Sequence, residues 1–318
     1  MMLSHLPVET AEVARPRWRG GDPGRGETLV TESFGLTDLG MKRSTNDDQF
    51  LIASLARALW IQQSSVEQRP IQYADAQGEL FVVADGMGGN VGGAEASALA
   101  LGALADFLLD TLQWLFALGK GDDTGDIDVL EDFKAALRRA DAQVCEAAAR
   151  QPELAGMGTT LTMAYAHGSA LFLAHVGDSR AYLFRGQALH QLTRDHTLVQ
   201  ELIACGALPA ERAADHRLRH IITNVVGGPT AGVQVEVHRL DLEAGDVLLL
   251  CTDGLTEMLT DERIAEVLRL EESPRAACER LVRLANERGG RDNVTVVVTR
   301  YDLAGRSSRI RARVHRGE

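Results

Sequence analysis

Five aspartates stand where apolar runs begin or end. Asp85 follows Leu80 to Ala84, Asp178 follows Ala170 to Gly177, and Asp253 follows Val247 to Thr252. Asp48 and Asp292 instead precede runs, Phe50 to Ile52 and Val294 to Val298. A carboxylate at the mouth of a buried strand is costly unless something compensates its charge. In an antiparallel sheet the start of one strand lies beside the end of its neighbour, so all five can gather on one edge. Five carboxylates brought together without cations would repel strongly. Hard divalent ions with oxygen ligands resolve that. Mg²⁺ or Mn²⁺ suits better than zinc, because no His or Cys cluster accompanies the acids. Arg43 lies just upstream of Asp47 and Asp48. By spacing alone, scattered turn aspartates and a surface Arg–Asp pair remain equally open.

The elements that must position these residues follow from the pattern. Glu79 to Gly93 is the pivot: a short β-rich run, then Asp85-Gly86, then glycines that let backbone approach closely. Residues 1–30, rich in Gly, Pro and Arg, read as a flexible extension. Thr31 to Gly40 suits a strand. Residues 54–78 read as an excursion between strands, helical in spacing at first and loop-like later. Glu95 to Leu118 and Val129 to Arg150 read as helices, with Lys120 to Asp128 a loop between them. Strands are predicted over 161–165, 170–176, 181–185, 233–240, 246–251 and 294–299. Thr197 to Cys205 reads as a helix. Thr260 caps another helix, and Ser273-Pro274 opens the last. Residues 207–220 read as a surface flap, and 302–318 as an Arg-containing tail, which leaves 31–301 as the principal domain. The connections are mostly too short for parallel crossovers, so antiparallel pairing is expected.

Composition excludes several classes. The chain has 318 residues, 45% hydrophobic and 25% charged, with a net charge of −12. That argues against a broad nucleic-acid surface or binding to anionic membranes. Cys145, Cys205, Cys251 and Cys278 form no C-x-x-C pair and fit a reducing, cytoplasmic setting. The N-terminus lacks the apolar core of a signal peptide. Residues 94–118, the one segment worth testing as a membrane span, carry Glu95, Asp106 and Asp110, so no span is expected. Neither a P-loop nor a G-x-G-x-x-G fingerprint is present.

Seven stretches resemble the metal-dependent Ser/Thr protein phosphatases of the protein phosphatase 2C family, bacterial type. They are Gly40-x-x-Arg43-x-x-Asn46-Asp47-Asp48, VVADGMGG (82–89), Gly158-Thr159-Thr160, VGDSRAYL (176–183), LTRDHT (192–197), CTDGL (251–255) and RDNVTVVV (291–298). Each is weak alone. Together, in the family's order over about residues 31–300, they are highly specific. The resemblance implies an α+β fold: a four-layer α-β-β-α sandwich with two central antiparallel sheets flanked by helix pairs. It implies two divalent cations, Mn²⁺ or Mg²⁺, held by Asp85, Asp253 and Asp292, with Asp85 bridging and Gly86 adding its carbonyl. Asp48 would lie at or just behind that shell, and Asp178 would help hold a third, looser metal. Arg43 would grip the substrate phosphate with a bidentate guanidinium. The implied reaction is hydrolysis of phosphoserine and phosphothreonine in proteins by a metal-activated water, reversing Ser/Thr kinase signalling. Phosphorylated Ser/Thr proteins would be the partners, with a cognate kinase, no nucleic acid and a monomeric state.

Two positions depart from the family pattern. Asp47 replaces the more usual Glu and is one methylene shorter, which implies contact with a metal only through water. Met87 stands where many eukaryotic members have a His proposed as general acid. His196 and His216 are candidates by residue type alone, and a structural or flap role is the favoured reading for each. The main rival is a catalytically weak phosphoprotein-binding module. Loss of Asp85, Asp253 or Asp292 would have supported it, and none is lost. A receiver-like protein needs a parallel α/β alternation that this order of strands lacks.

Overall fold

The structure, a computed structural model, describes residues 29–55, 58–60, 71–73, 78–115, 123–213, 216–229 and 232–303. Strands β1 (Leu29–Asp38), β2 (Asp48–Leu55), β3 (Ala58–Trp60), β4 (Ile71–Tyr73) and β5 (Gly78–Met87) precede two long helices, α1 (Gly89–Leu115) and α2 (Asp123–Arg150). Strands β6 (Gly158–Thr159), β7 (Leu161–His167), β8 (Ala170–Val176), β9 (Arg180–Arg185) and β10 (Ala188–Gln191) follow, then helix α3 (Leu198–Ala204). The rest comprises β11 (Val226–Gly227), β12 (Glu236–Asp241), β13 (Val247–Cys251), α4 (Asp253–Thr256), α5 (Asp261–Leu270), α6 (Pro274–Glu287) and β14 (Val294–Leu303).

Two sheets result. One has the order β1-β14-β13-β9-β10. The other has the order β11-β6-β5-β7-β8-β12, with β2 also paired to β5. Every pairing is antiparallel, as the short connections require. The central strands are apolar on both faces, because each sheet is covered on both sides. Phe81, Val83, Leu173, Leu183, Leu248 and Val297 lie between the sheets. Val82, Leu161 and Met163 of this sheet pack with Phe133 and Leu137 of α2. Leu249, Val296 and Val298 pack with Ile264 of α5 and Leu281 of α6. The expected four layers are therefore present.

The local differences from the sequence reading have physical causes. β5 does not stop at Asp85; it continues to Met87 because Gly86 and Met87 pair with Thr159 and Gly158. The acidic segment predicted as a loop to 128 is helical from Asp123. The helical spacing read after residue 54 gives way to the small β3–β4 sheet; residues 56–57, 61–70 and 74–77 lie outside the described residues. Ser273 accepts from the Ala276 N–H, as a capping residue should, whereas Thr260 occupies its cap position without a side-chain cap bond. Most of the N-terminal extension and residues 304–318 of the tail also lie outside the described residues.

Candidate active site

The acids converge because of register. Asp48 opens β2 directly across from Asp85 on β5. The Asp85 carbonyl accepts from the Thr160 N–H at 2.9 Å. The next residue, Leu161, pairs with Val176, so Asp178 reaches the same edge. On the other sheet, Cys251 lies between Arg180 of β9 and Val296 of β14. Asp253 thus emerges between Asp178 and Asp292. Two hydroxyls join the sheets at this point. Thr252 and Thr295 both donate to Asp48 Oδ2, at 2.8 and 2.7 Å.

The Arg43 loop is fastened to the same edge. Asn293 donates from Nδ2 to the carbonyls of Leu39 and Thr45, and its Oδ1 accepts from the Asp47 N–H. Gly40 adopts φ 77°, and a Cβ there would stand 2.2 Å from the Asp292 carbonyl oxygen. Arg43 donates to Asp292 Oδ2 at 2.5 Å, and this bond holds its guanidinium pKa up. Its side chain remains 55% exposed, so it keeps free donors. Gly86 is confined too: a Cβ there would lie 2.0 Å from the Gly93 carbonyl oxygen.

Among the described residues at this edge, three buried carboxylate oxygens have no hydrogen-bond partner: Asp48 Oδ1, Asp178 Oδ1 and Asp253 Oδ1. Removal from water pushes the Asp48 carboxyl up to about 6, against the pull of the two threonine hydroxyls. Asp178 is pushed up to about 7, again chiefly by burial and then by Asp195. Asp85 and Asp253 are held well above the ordinary range, by lost hydration first and then by the surrounding acids. Such carboxylates stay ionised near neutral pH only if cations compensate. Among the described residues no three acidic, His or Cys side chains form a finished metal cage. The fit to hard cations therefore lies in the donor set: buried oxygens, three of them unpartnered, with neither thiolate nor imidazole among them.

Asp48, Asp85, Asp178, Asp253, Asp292, Gly86 and Arg43 thus all reach one edge of the sandwich. Asp47 contributes its backbone, accepting at its carbonyl from Gly86 N–H and Ser97 Oγ. The two candidate histidines are held elsewhere. His196 Nδ1 accepts from the Gly177 N–H and its Nε2 lies 3.5 Å from Glu236. His216 Nδ1 accepts from the Leu218 N–H. His175 is fully buried and held near 4, mainly by burial, between Thr162 and the Arg194 carbonyl. Sequence reasoning missed Thr252, Thr295, Asn293 and Glu257. The first three sit inside the quoted motifs, beside the acids they serve. Glu257, one turn after Asp253, adds negative charge near Asp253 and Asp178. It pairs with His220, from the segment read as a flap, at 2.5 Å.

Two antiparallel sheets between helix layers, with buried carboxylates and Arg43 at the shared edge, make a sandwich whose edge suits hard cations and an anionic group. Known proteins make that class specific. A family model described as protein phosphatase 2C matches residues 61–294. The serine/threonine protein phosphatase PstP of Mycobacterium tuberculosis is 36% identical over 271 residues, 85% of this chain and 45% of that protein. The serine/threonine phosphatase stp of Listeria monocytogenes is 33% identical over 225 residues, 70% of this chain and 85% of that one. The catalytic domain of PstP, solved in complex with two manganese ions, superposes with TM-score 0.66 at 34% identity. That match covers 86% of this chain and all of the other. The chain belongs to the protein phosphatase 2C family. It spans about half the length of the PstP relative.

Proposed function

We propose that the chain hydrolyses phosphoserine and phosphothreonine in proteins, using divalent cations held at the sheet edge. One observation carries the reading: the unpartnered oxygens of Asp48, Asp178 and Asp253 gather beside Arg43 and Asp292. Mn²⁺ or Mg²⁺ bound there would make hydroxide available near neutral pH and offset charge on the phosphoryl oxygens. Asp85, Asp253 and Asp292 would hold the cation pair, with the Gly86 carbonyl beside them, and Asp178 would hold a further, looser one. Asp48, fixed by Thr252 and Thr295, supports the cluster from behind. Arg43 takes two phosphate oxygens with its free donors and turns the phosphorus for in-line attack by water.

No protein nucleophile is involved. Burial pushes the Cys251 and Cys278 thiols up to about 12, so neither is a thiolate near neutrality. Met87 cannot protonate the leaving oxygen, so water serves. The natural substrates in this reading are targets of a Ser/Thr kinase. The protein acts as a cytoplasmic monomer, consistent with four free cysteines. No helix among the described residues is long and apolar enough to cross a membrane.

The test is hydrolysis of p-nitrophenyl phosphate and of a phosphothreonine peptide with Mn²⁺, Mg²⁺ or EDTA. Activity should require the metal and fall by about 100-fold or more in Asp253→Asn. A folded wild-type protein that turns over neither compound with either metal would instead be a phosphoprotein-binding module.

A further inference from the structure

Large apolar side chains are exposed at five places among the described residues, and two of them, Leu39 and Met41, lie on the Arg43 loop. Met41 is 65% exposed. Scattered single exposures need no explanation, but a pair beside a candidate active site does. Met41 opens onto a groove of about 490 Å³ between β1 and α6. Leu36 and Val282 supply the rest of its apolar lining, while Asp38, Glu279 and Glu287 outnumber Arg283 among its charges; Arg283 lies 4.0 Å from Glu287, and Arg275, outside the lining, 3.7 Å from Glu279.

The groove is tied to the site through the loop that carries Arg43. The Met41 N–H donates to the Gly290 carbonyl at 2.8 Å, Gly40 presses on the Asp292 carbonyl, and Arg43 is two residues further on. Asp38 is held in place by the Gly40 N–H and Asn286 Nδ2. Two residues span at most about 7 Å, and Glu279 to Glu287 covers about 12 Å of helix. An extended peptide with its phosphate at Arg43 would therefore bring a residue about two to four positions away into the groove.

We propose that this groove binds the substrate segment flanking the phosphorylated residue, and that it selects a large aliphatic side chain accompanied by Lys or Arg. The proposal rests on the phosphatase reading above and deepens it. The aliphatic side chain meets Leu36, Met41 and Val282. The cation answers the excess of acid among the lining residues, which disfavours acidic flanks by like-charge repulsion. The phosphate itself is served by Arg43 and the cation site, so the groove adds sequence preference without touching the reacting atoms.

The experiment compares phosphothreonine peptides that differ only two to four residues from the phosphate: Leu with Arg, Ala with Ala, or Asp with Asp. In Mn²⁺, wild type should favour the Leu–Arg peptide over the Ala peptide by about tenfold in kcat/KM, chiefly through KM. The Asp peptide should fall below both. Met41→Asp should shrink the Leu–Arg preference to near unity. Glu279→Lys combined with Glu287→Lys should reduce the Leu–Arg preference and raise the Asp peptide relative to the Ala peptide. Turnover of p-nitrophenyl phosphate alongside equal kcat/KM for all three peptides would overturn the groove proposal and leave the phosphatase reading standing. A wild-type preference that survives Met41→Asp would also overturn it. Equal peptide turnover with Met41-dependent dimers in sedimentation would assign the groove to a second copy instead. If neither small substrate nor peptide is turned over, the phosphatase reading fails and the groove proposal with it.

Discussion

At the scale of single residues, the acids of the cluster carry a stability cost that depends on pH. Asp178 is raised to about 7 and Asp48 to about 6 in the folded chain, against an unfolded value near 4. Between those values the folded state binds more protons than the unfolded state, so stability without metal falls as pH rises. His175, depressed to about 4, acts in the opposite sense: its contribution is full above the unfolded value near 6.5 and is lost as pH falls toward 4. A difference between variants separates the two. Urea denaturation in EDTA should show Asp178→Asn gaining about 2 kcal/mol over wild type as pH rises from about 5.5 to about 7.5. A constant gap between the two proteins across that range would mean that burial does not hold Asp178 above its ordinary range.

At the scale of elements, the Arg43 loop is only as well placed as the residue that fastens it. Asn293 uses three side-chain hydrogen bonds to tie that loop to the start of β14. Asn293→Ala strands two carbonyls and one N–H, so a stability loss of about 3 kcal/mol is expected. With the guanidinium no longer held in register, kcat/KM for a phosphothreonine peptide should fall about tenfold or more, with much of the effect in KM. Near-native kinetics in a folded Asn293→Ala protein would show that the loop positions Arg43 unaided. The acids were legible in the sequence because each lies at the edge of an apolar run whose strand character is plain, whereas Arg43 was singled out by the family resemblance. The supporting residues were not, since a threonine or asparagine beside an acid carries no periodic signal. What Thr252 and Thr295 do depends on β13 and β14 facing β2 across the two sheets, a long-range pairing that no local window contains. The extension of β5 through Met87 was hidden for the same reason, because its partner β6 lies beyond two helices in the sequence.

At the scale of the molecule, the site lies on the seam between the two sheets. Asp48 and Asp85 come from one sheet, whereas Asp253 and Asp292 adjoin strands of the other. Within the protein, the seam at this end is closed by the bonds from Thr252 and Thr295 to Asp48, and opposed by the repulsion among the carboxylates. Cations that replace this repulsion with shared ligands would cross-link the sheets. Binding linked to folding stabilises by about 2.7 kcal/mol at one hundred times the dissociation constant. For a domain of this size that corresponds to a rise of about 5 °C or more in Tm. Thermal denaturation should therefore show a Tm that climbs with Mn²⁺ concentration and returns on adding EDTA. Hydrogen exchange should slow most at the start of β2, the end of β13 and the start of β14, where the seam closes. In Asp253→Asn the metal-free Tm should rise, since one buried charge is gone, while the response to Mn²⁺ shrinks. That opposed pair of changes separates a binding carboxylate from a merely structural one, whose loss would lower Tm with and without metal. A Tm indifferent to Mn²⁺ would mean that the clustered acids are compensated within the chain, with Arg43 on Asp292 as the principal counter-charge.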